Sequence, residues 1–184
     1  MKRPSINGCL TLCRLCVCIC VLTAILMSSC INDSPDKPDN SLKDSRLRPG
    51  DILPAFTITD NSGGILTSPA AFTGKPALIV FFSTRCPDCR DVLPQVQAYC
   101  DRVIATGKDR RIICISRAED NTAVAAYWAA NGLTIPYAAI PDRSIYNLFA
   151  TSGIPRLYFT DSRAQITAVY GPDNIPDAAT WPRP

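Results

Sequence analysis

The feature that most constrains the fold is "PALIVFFSTRCPDCR", residues 76–90, in which an apolar run leads into two closely spaced cysteines. Residues 76–83 are apolar at almost every position, which is typical of a central strand in a sheet that is covered on both faces. Cys86 and Cys89 follow, and Pro87 suits the first position of a helix, where a missing N–H costs nothing. The segment therefore predicts a buried strand, a turn and a helix, and so an α/β fold.

The spacing of the two cysteines gives them different predicted roles. Cys86 lies at the first turn of the predicted helix, where free backbone N–H groups and the helix dipole favour the thiolate form. Cys89 lies one turn further along, so it can close a ring on Cys86 but is poorly placed to attack another molecule. We therefore expect Cys86 to attack a substrate and Cys89 to resolve the mixed disulfide. Arg85 should favour the Cys86 thiolate, whereas Asp88 should oppose it.

Two other interpretations of the cysteine pair remain open from the residues alone. The pair could form an inert structural disulfide, or it could supply two of the four ligands of a zinc site. Cys100 and Cys114 could in principle supply the other two ligands, but both lie in apolar patterns and are interpreted as buried core residues or as a second disulfide. The chain contains no histidine. This excludes Cys–His nucleophiles and imidazole-ligated metals, and we predict neither a metal nor a bound cofactor.

The N-terminal residues predict export. Three basic residues flank or precede an uncharged apolar stretch at 15–27, which is too short to span a membrane comfortably. We interpret residues 1–29 as a signal peptide, and a short retained membrane anchor is the alternative. The stretch "LMSSC" resembles the lipobox of bacterial lipoproteins, which implies cleavage before Cys30 and lipidation of that cysteine. Several acyl chains at one terminus would hold the protein on a membrane.

Loss of the predicted signal peptide changes the charge balance. The whole chain carries 19 basic and 16 acidic residues, for a formal net charge of +3. Since the signal contains Lys2, Arg3, Arg14 and no acidic residue, the mature chain is neutral, with 16 residues of each sign. A neutral chain lacks the basic surface that nucleic acids select, so no nucleic-acid partner is predicted.

The mature chain divides into a tether and one domain. Residues 30–49 are rich in Asp, Pro, Asn, Ser and Lys, which predicts a flexible tether. Residues 50–184 alternate between strand and helix patterns, and we assign them to a single domain. The domain should begin with a β-hairpin and end with an antiparallel one. The helix after the cysteines should bury a stripe made of Val92, Leu93, Val96, Cys100, Val103 and Ile104.

Together these segments resemble thioredoxin-fold thiol-disulfide oxidoreductases, in particular the TlpA/ResA-like lipoproteins related to AhpC/TSA proteins. The likeness spans about residues 50–171 and is carried by "ALIVFFSTRCPDCRDVLP", which includes Pro94, and by "TSGIPRLYFTD". It implies a thioredoxin-like α/β fold in which helices flank a central mixed β-sheet, with an N-terminal β-hairpin. It also implies a cis bond before Pro155, substrate contacts by Ile154, Pro155 and Arg85, and a structural role for Pro94.

The sequence departs from these relatives at two positions that carry proton acceptors. Thioredoxins have a buried acid six residues before the first cysteine, and ResA-like proteins often have a glutamate three residues after the second. Val80 and Val92 occupy these positions here. The resemblance therefore leaves the proton acceptor for Cys89 unassigned.

The resemblance implies an enzyme of the bacterial cell envelope that reduces or exchanges disulfides of exported proteins. Its partners would be exported protein disulfides or thiols, a membrane or periplasmic electron donor, and the lipid membrane through Cys30. The anchored protein would face the periplasm or lie at the outer membrane. A peroxiredoxin-like thiol peroxidase and a non-catalytic, thioredoxin-like binding lipoprotein are the alternatives.

Overall fold

The computed structural model describes residues 42–183. The predicted signal peptide, Cys30 and most of the predicted tether lie outside the described residues. The strands are β1 (Phe56–Thr59), β2 (Ile65–Ser68), β3 (Ala77–Phe82), β4 (Arg111–Ser116), β5 (Tyr137–Ala138), β6 (Arg156–Thr160) and β7 (Ile166–Tyr170). The helices are α1 (Pro87–Ala105), α2 (Asn121–Ala130) and α3 (Tyr146–Phe149), with 3-10 turns at Ala70–Phe72 and Ala178–Thr180. Within residues 42–183 no helix combines the length and the apolar character needed to cross a membrane.

The centre of the fold is a five-stranded mixed sheet with the strand order β5-β4-β3-β6-β7. Strand β3 pairs in parallel with β4 and antiparallel with β6, and all six of its residues are buried. Strands β4 and β5 are parallel, β6 and β7 are antiparallel, and β1 and β2 form a separate antiparallel hairpin. The predicted α/β fold, with a mixed central sheet and an N-terminal hairpin, is confirmed.

The side chains of β3 alternate between two apolar layers, as expected for a strand that is covered on both faces. The ring of Phe81 contacts Tyr146 and Phe149 of α3 on one face. The ring of Phe82, on the other face, packs 4.9 Å from the ring of Trp128 in α2. The sheet therefore lies between helices, and its central strand is shielded from water.

The boundaries of the two longer helices follow from local backbone chemistry. Helix α1 has Pro87 in its first turn and ends one residue before Thr106, after which Gly107 adopts φ +63°, a left-handed conformation that glycine takes at little cost. Helix α2 is capped by Asp120, whose carboxylate accepts a hydrogen bond from the Ala123 N–H at 2.9 Å. The start of α1 sets the position of the cysteine pair.

The predicted apolar stripe of α1 is correct except at one position. Val92, Leu93, Val96, Cys100 and Val103 are buried, but Ile104 is 71% exposed, so its assignment to the core was wrong. Adjacent helical residues point about 100° apart, and Val103 takes the inward position. Tyr99 completes the buried face instead: its ring contacts the rings of Phe159 and Trp181.

Residues 42–49, which the sequence assigns to the tether, contact the folded part of the chain. The Arg46 N–H donates to the Phe149 carbonyl at 2.8 Å, and the Thr151 N–H donates to the Asp44 carbonyl at 2.8 Å. Backbone groups can pair in this way whatever side chains they carry, so the polar composition of the segment does not prevent it from being held. Residues 44 and 46, on the N-terminal side of the predicted boundary, are therefore held by contacts with the domain.

The burial difference between adjacent residues of α1 gives a stability prediction. Val103→Ala should lower the free energy of unfolding by about 2 kcal/mol, because it removes two buried methyl groups and leaves a cavity. Ile104→Ala should change it by less than about 0.5 kcal/mol, because that side chain is exposed. Urea unfolding followed by circular dichroism measures both values, and equal losses would contradict this assignment of the buried face.

Candidate active site

The two motif cysteines lie at the N-terminus of α1 as free thiols. Cys86 is the N-cap residue, with extended backbone angles (φ −86°, ψ 120°), and Pro87 begins the helix. The Cys86 side chain is half-buried, whereas Cys89 is fully buried. A molecule arriving from solvent can therefore reach Cys86 first, with Cys89 enclosed behind it.

The segment around Pro155 meets the cysteine pair. The Ile154–Pro155 peptide bond is cis, as predicted. Cys86 Sγ lies 3.6 Å from the Ile154 carbonyl oxygen, with the thiol as the donor. The next residue, Arg156, is buried; its Nε donates to the Ser152 carbonyl at 3.0 Å, and its guanidinium also donates to the Lys43 carbonyl. Two segments that are far apart in the sequence thus form one site.

The environment of Cys89 keeps its thiol protonated. Burial raises the pKa of Cys89 well above that of a free thiol, and a hydrogen bond with Cys86 raises it further. The Ser83 backbone and the positive charge of Arg117 act in the opposite direction, but they do not outweigh burial. In the reduced protein, Cys89 is therefore neutral at physiological pH.

The other two described cysteines are separate from this pair. Cys100 lies on the buried face of α1 and Cys114 lies within β4, and both are buried free thiols. Burial raises the pKa of each. Both cysteines therefore occupy core positions, which agrees with their interpretation as buried core residues and not with a second disulfide. In the described part of the chain, no group of three or more His, Cys, Asp or Glu residues is arranged to hold a metal ion.

The remaining residues that the sequence analysis singled out differ in exposure and contacts. The Arg85 side chain is 79% exposed, and its Nε lies 3.3 Å from Oε1 of Glu119. Helix α1 continues through Pro94, which is exposed. Val80 and Val92 are buried in the core. Arg85 therefore forms an ion pair with the Glu119 carboxylate, and its positive charge is not directed at Cys86 alone.

A buried acid that the sequence analysis missed lies against the active-site turn, which we define as residues 83–86. Glu119 follows β4, its side chain is 1% exposed, and it accepts hydrogen bonds from Ser83, Thr84 and Arg85. Strands β3 and β4 are parallel, so their carboxyl ends lie at the same edge of the sheet. Polar residues that follow two adjacent parallel strands are expected to meet, and this signal could have identified Glu119.

A family model described as Redoxin matches residues 48–180 of the chain. No curated protein matches the sequence. The match covers the cysteine pair, Glu119 and the Ile154–Pro155 segment, so the whole site lies within the matched range.

Solved structures with the same fold come from several bacteria. A candidate protein disulfide isomerase of Bacteroides thetaiotaomicron is 26% identical, with a TM-score of 0.65 over 71% of this chain and 83% of that chain. A thioredoxin-family thiol:disulfide interchange protein of Chlorobium tepidum is 22% identical, with a TM-score of 0.59 over 72% and 91%. A secreted disulfide oxidoreductase of Mycobacterium tuberculosis is 22% identical, with a TM-score of 0.58 over 68% and 90%.

The contrast between the two thiols gives a reactivity prediction. Iodoacetamide at neutral pH should modify Cys86 of the folded, reduced protein more than about tenfold faster than Cys89, because only a thiolate reacts and the Cys89 thiol is buried and protonated. Peptide mass spectrometry over time measures both rates. Cys100, a buried thiol on the same helix, is the internal control and should react as slowly as Cys89. Comparable modification of Cys86 and Cys89 in the folded protein would contradict the described site.

Proposed function

Because the chain belongs to the Redoxin family and is a thiol-disulfide oxidoreductase of the thioredoxin type, we propose that Cys86 and Cys89 carry out its chemistry. One observation supports this assignment above all others. Cys86 is half-buried at the N-terminus of α1, Cys89 is fully buried behind it, and the Ile154 carbonyl lies 3.6 Å from the Cys86 sulfur. An attacking thiol and a protected resolving thiol need this arrangement.

The proposed reaction reduces a protein disulfide in two exchanges. The Cys86 thiolate attacks one sulfur of the client disulfide, and the other client sulfur leaves as a thiolate. The sulfur of Cys89 then loses its proton and attacks the Cys86 sulfur, which releases the second client thiol and forms the Cys86–Cys89 disulfide. The client gains two electrons and two protons: the protein supplies both electrons and the Cys89 proton, and solvent supplies the proton that Cys86 released when it ionised.

The resolving step requires the buried Cys89 thiol to lose its proton. Burial raises the pKa of Cys89, while the Ser83 backbone and the charge of Arg117 favour its thiolate. The client thiolate released in the first exchange is itself a base, and it can take up the proton that Cys89 loses. The resolving step can therefore proceed although Val80 and Val92 occupy the positions at which relatives carry an acid.

The proposed clients are disulfides of exported proteins in the bacterial cell envelope. This part of the proposal is supported by the N-terminal sequence, in which residues 1–29 have the pattern of a signal peptide and Cys30 follows a lipobox-like stretch. One relative with the same fold is a secreted disulfide oxidoreductase. A periplasmic or membrane dithiol protein would return the Cys86–Cys89 disulfide to the reduced form.

Replacement of the attacking thiol tests this function. Cys86→Ser should lower the rate of insulin disulfide reduction, driven by an excess of dithiol, by more than about 100-fold, because the other three cysteines of the described residues are buried. The turbidity of precipitating insulin chains measures the rate. Cys100→Ala removes a buried cysteine from the same helix and is the matched control, with activity near that of the unaltered protein.

The same proteins distinguish the alternatives. Cys89→Ser should accumulate mixed disulfides with client proteins, because the resolving thiol is lost, and Cys86→Ser should accumulate none. Peroxide consumption without insulin reduction would favour a thiol peroxidase. Activity with neither substrate, and no mixed disulfides, would favour a non-catalytic binding lipoprotein and contradict the proposed chemistry.

Membrane attachment has its own test in a bacterial host. Cys30→Ser should move the protein from the membrane fraction to the soluble or unprocessed pool, because the lipidated residue is lost. Immunoblotting of separated fractions measures the distribution. Cys20→Ser, a change within the same N-terminal segment, is the matched control and should stay with the membrane. If Cys30→Ser fractionates and is processed like the unaltered protein, lipidation of Cys30 is excluded.

A further inference from the structure

The active-site turn is held by one buried carboxylate. Glu119 Oε1 accepts hydrogen bonds from Ser83 Oγ at 3.1 Å, Thr84 Oγ1 at 2.9 Å and Arg85 Nε at 3.3 Å. Glu119 Oε2 accepts from the Thr84 backbone N–H at 2.7 Å. A carboxylate is tolerated in a protein interior only when such donors replace its water. All four donors belong to the three residues that precede Cys86.

Both backbone polar groups of Thr84, its N–H and its carbonyl, are hydrogen-bonded. Glu119 binds its N–H, and the Arg90 Nε donates to its carbonyl oxygen at 2.8 Å. The Arg85 N–H donates to Ser83 Oγ at 3.2 Å, and the Cys86 N–H donates to the Ser83 carbonyl at 3.2 Å. The route from β3 to the first turn of α1 therefore depends on groups that Glu119 binds.

The position of Glu119 is itself constrained by its backbone. The Glu119 N–H donates to the Ile140 carbonyl at 3.0 Å, and Ser116 Oγ donates to the Glu119 carbonyl at 3.0 Å. The preceding residue, Ala118, adopts φ +61°, a left-handed conformation that residues with a Cβ rarely take. This unusual backbone turns the loop after β4 so that the Glu119 side chain meets the active-site turn.

We propose, on the premise that Cys86 and Cys89 carry out the disulfide exchange described above, that Glu119 is a positioning residue for Cys86. Its carboxylate holds Ser83, Thr84 and Arg85 so that Cys86 remains the N-cap of α1, at the end of the helix whose dipole favours a thiolate. Without the carboxylate the turn loosens, and the Cys86 thiolate loses that fixed environment.

This role can be separated from the effect of charge because the two predict opposite signs. A negative charge near Cys86 disfavours its thiolate, so removal of a carboxylate that acted only through space would make Cys86 more reactive. Removal of a carboxylate that holds the turn should make Cys86 less reactive. Asp88 is an exposed acid in the first turn of α1 and binds none of the groups that Glu119 binds. It therefore represents a carboxylate that acts on Cys86 only through space.

The test is the rate of Cys86 alkylation by iodoacetamide at pH 7 in the folded, reduced protein. Glu119→Gln keeps the size of the side chain but presents an amide N–H₂ in place of one acceptor oxygen, so at least one of the four donors loses its partner. We expect this rate to fall about tenfold. The equilibrium with glutathione should shift towards the Cys86–Cys89 disulfide, because the reduced form is less favoured.

Two further variants complete the comparison. Asp88→Asn, the matched charge control, should raise the alkylation rate. Thr84→Val removes one hydroxyl donor but keeps the backbone N–H, so it should lower the rate less than Glu119→Gln, and it tests the same contacts if Glu119→Gln does not fold.

The outcomes separate the possibilities. A faster rate in Glu119→Gln, as in Asp88→Asn, would overturn the positioning role, and so would an unchanged rate in a protein of lower thermal stability. If Glu119→Gln does not fold, an unchanged rate in Thr84→Val would overturn it as well. A lack of reaction at Cys86 in the unaltered, folded protein would instead overturn the proposed function itself.

Discussion

The rest of the structure depends on one constraint, which is the burial of β3 between a parallel neighbour, β4, and an antiparallel neighbour, β6. Its parallel pairing with β4 brings the loop after Ser116 to the edge where β3 ends, and this loop carries Glu119. Its antiparallel pairing with β6 brings the start of that strand to the same edge, because Phe81 lies opposite Arg156. The cysteine pair, the buried acid and the Ile154–Pro155 segment therefore meet because of the strand order, although they are distant in sequence.

Much of this arrangement could be predicted from the sequence, because the signals that carry it are local. The apolar run of β3 indicated its burial on both faces, and Pro87 indicated where α1 begins. Cys86 and Cys89 stood out through their spacing, and the resemblance to thioredoxin-fold proteins indicated the cis bond before Pro155. Apart from the cis bond, these features can be read from residues 76–90 alone.

The features that escaped prediction depend on contacts between distant residues. Glu119 looks like one polar residue among several after a strand, and only the pairing of β3 with β4 gives it donors. Tyr99 and Ile104 are both apolar enough for the core, but Tyr99 packs against Phe159 and Trp181, which are distant in sequence, whereas Ile104 is exposed. Residues 42–49 are held by backbone hydrogen bonds, which leave no trace in composition.

The contact between Arg156 and the Lys43 carbonyl has a mechanical consequence. Arg156 also binds the Ser152 carbonyl, two residues before Ile154, so one guanidinium joins the incoming chain to the segment beside the Cys86 sulfur. Traction on the chain at Lys43 would act on that segment through Arg156, in addition to the backbone hydrogen bonds that join Asp44 to Thr151 and Arg46 to Phe149. The position of the chain at Lys43 and the shape of the surface beside Cys86 are thus coupled through a buried side chain.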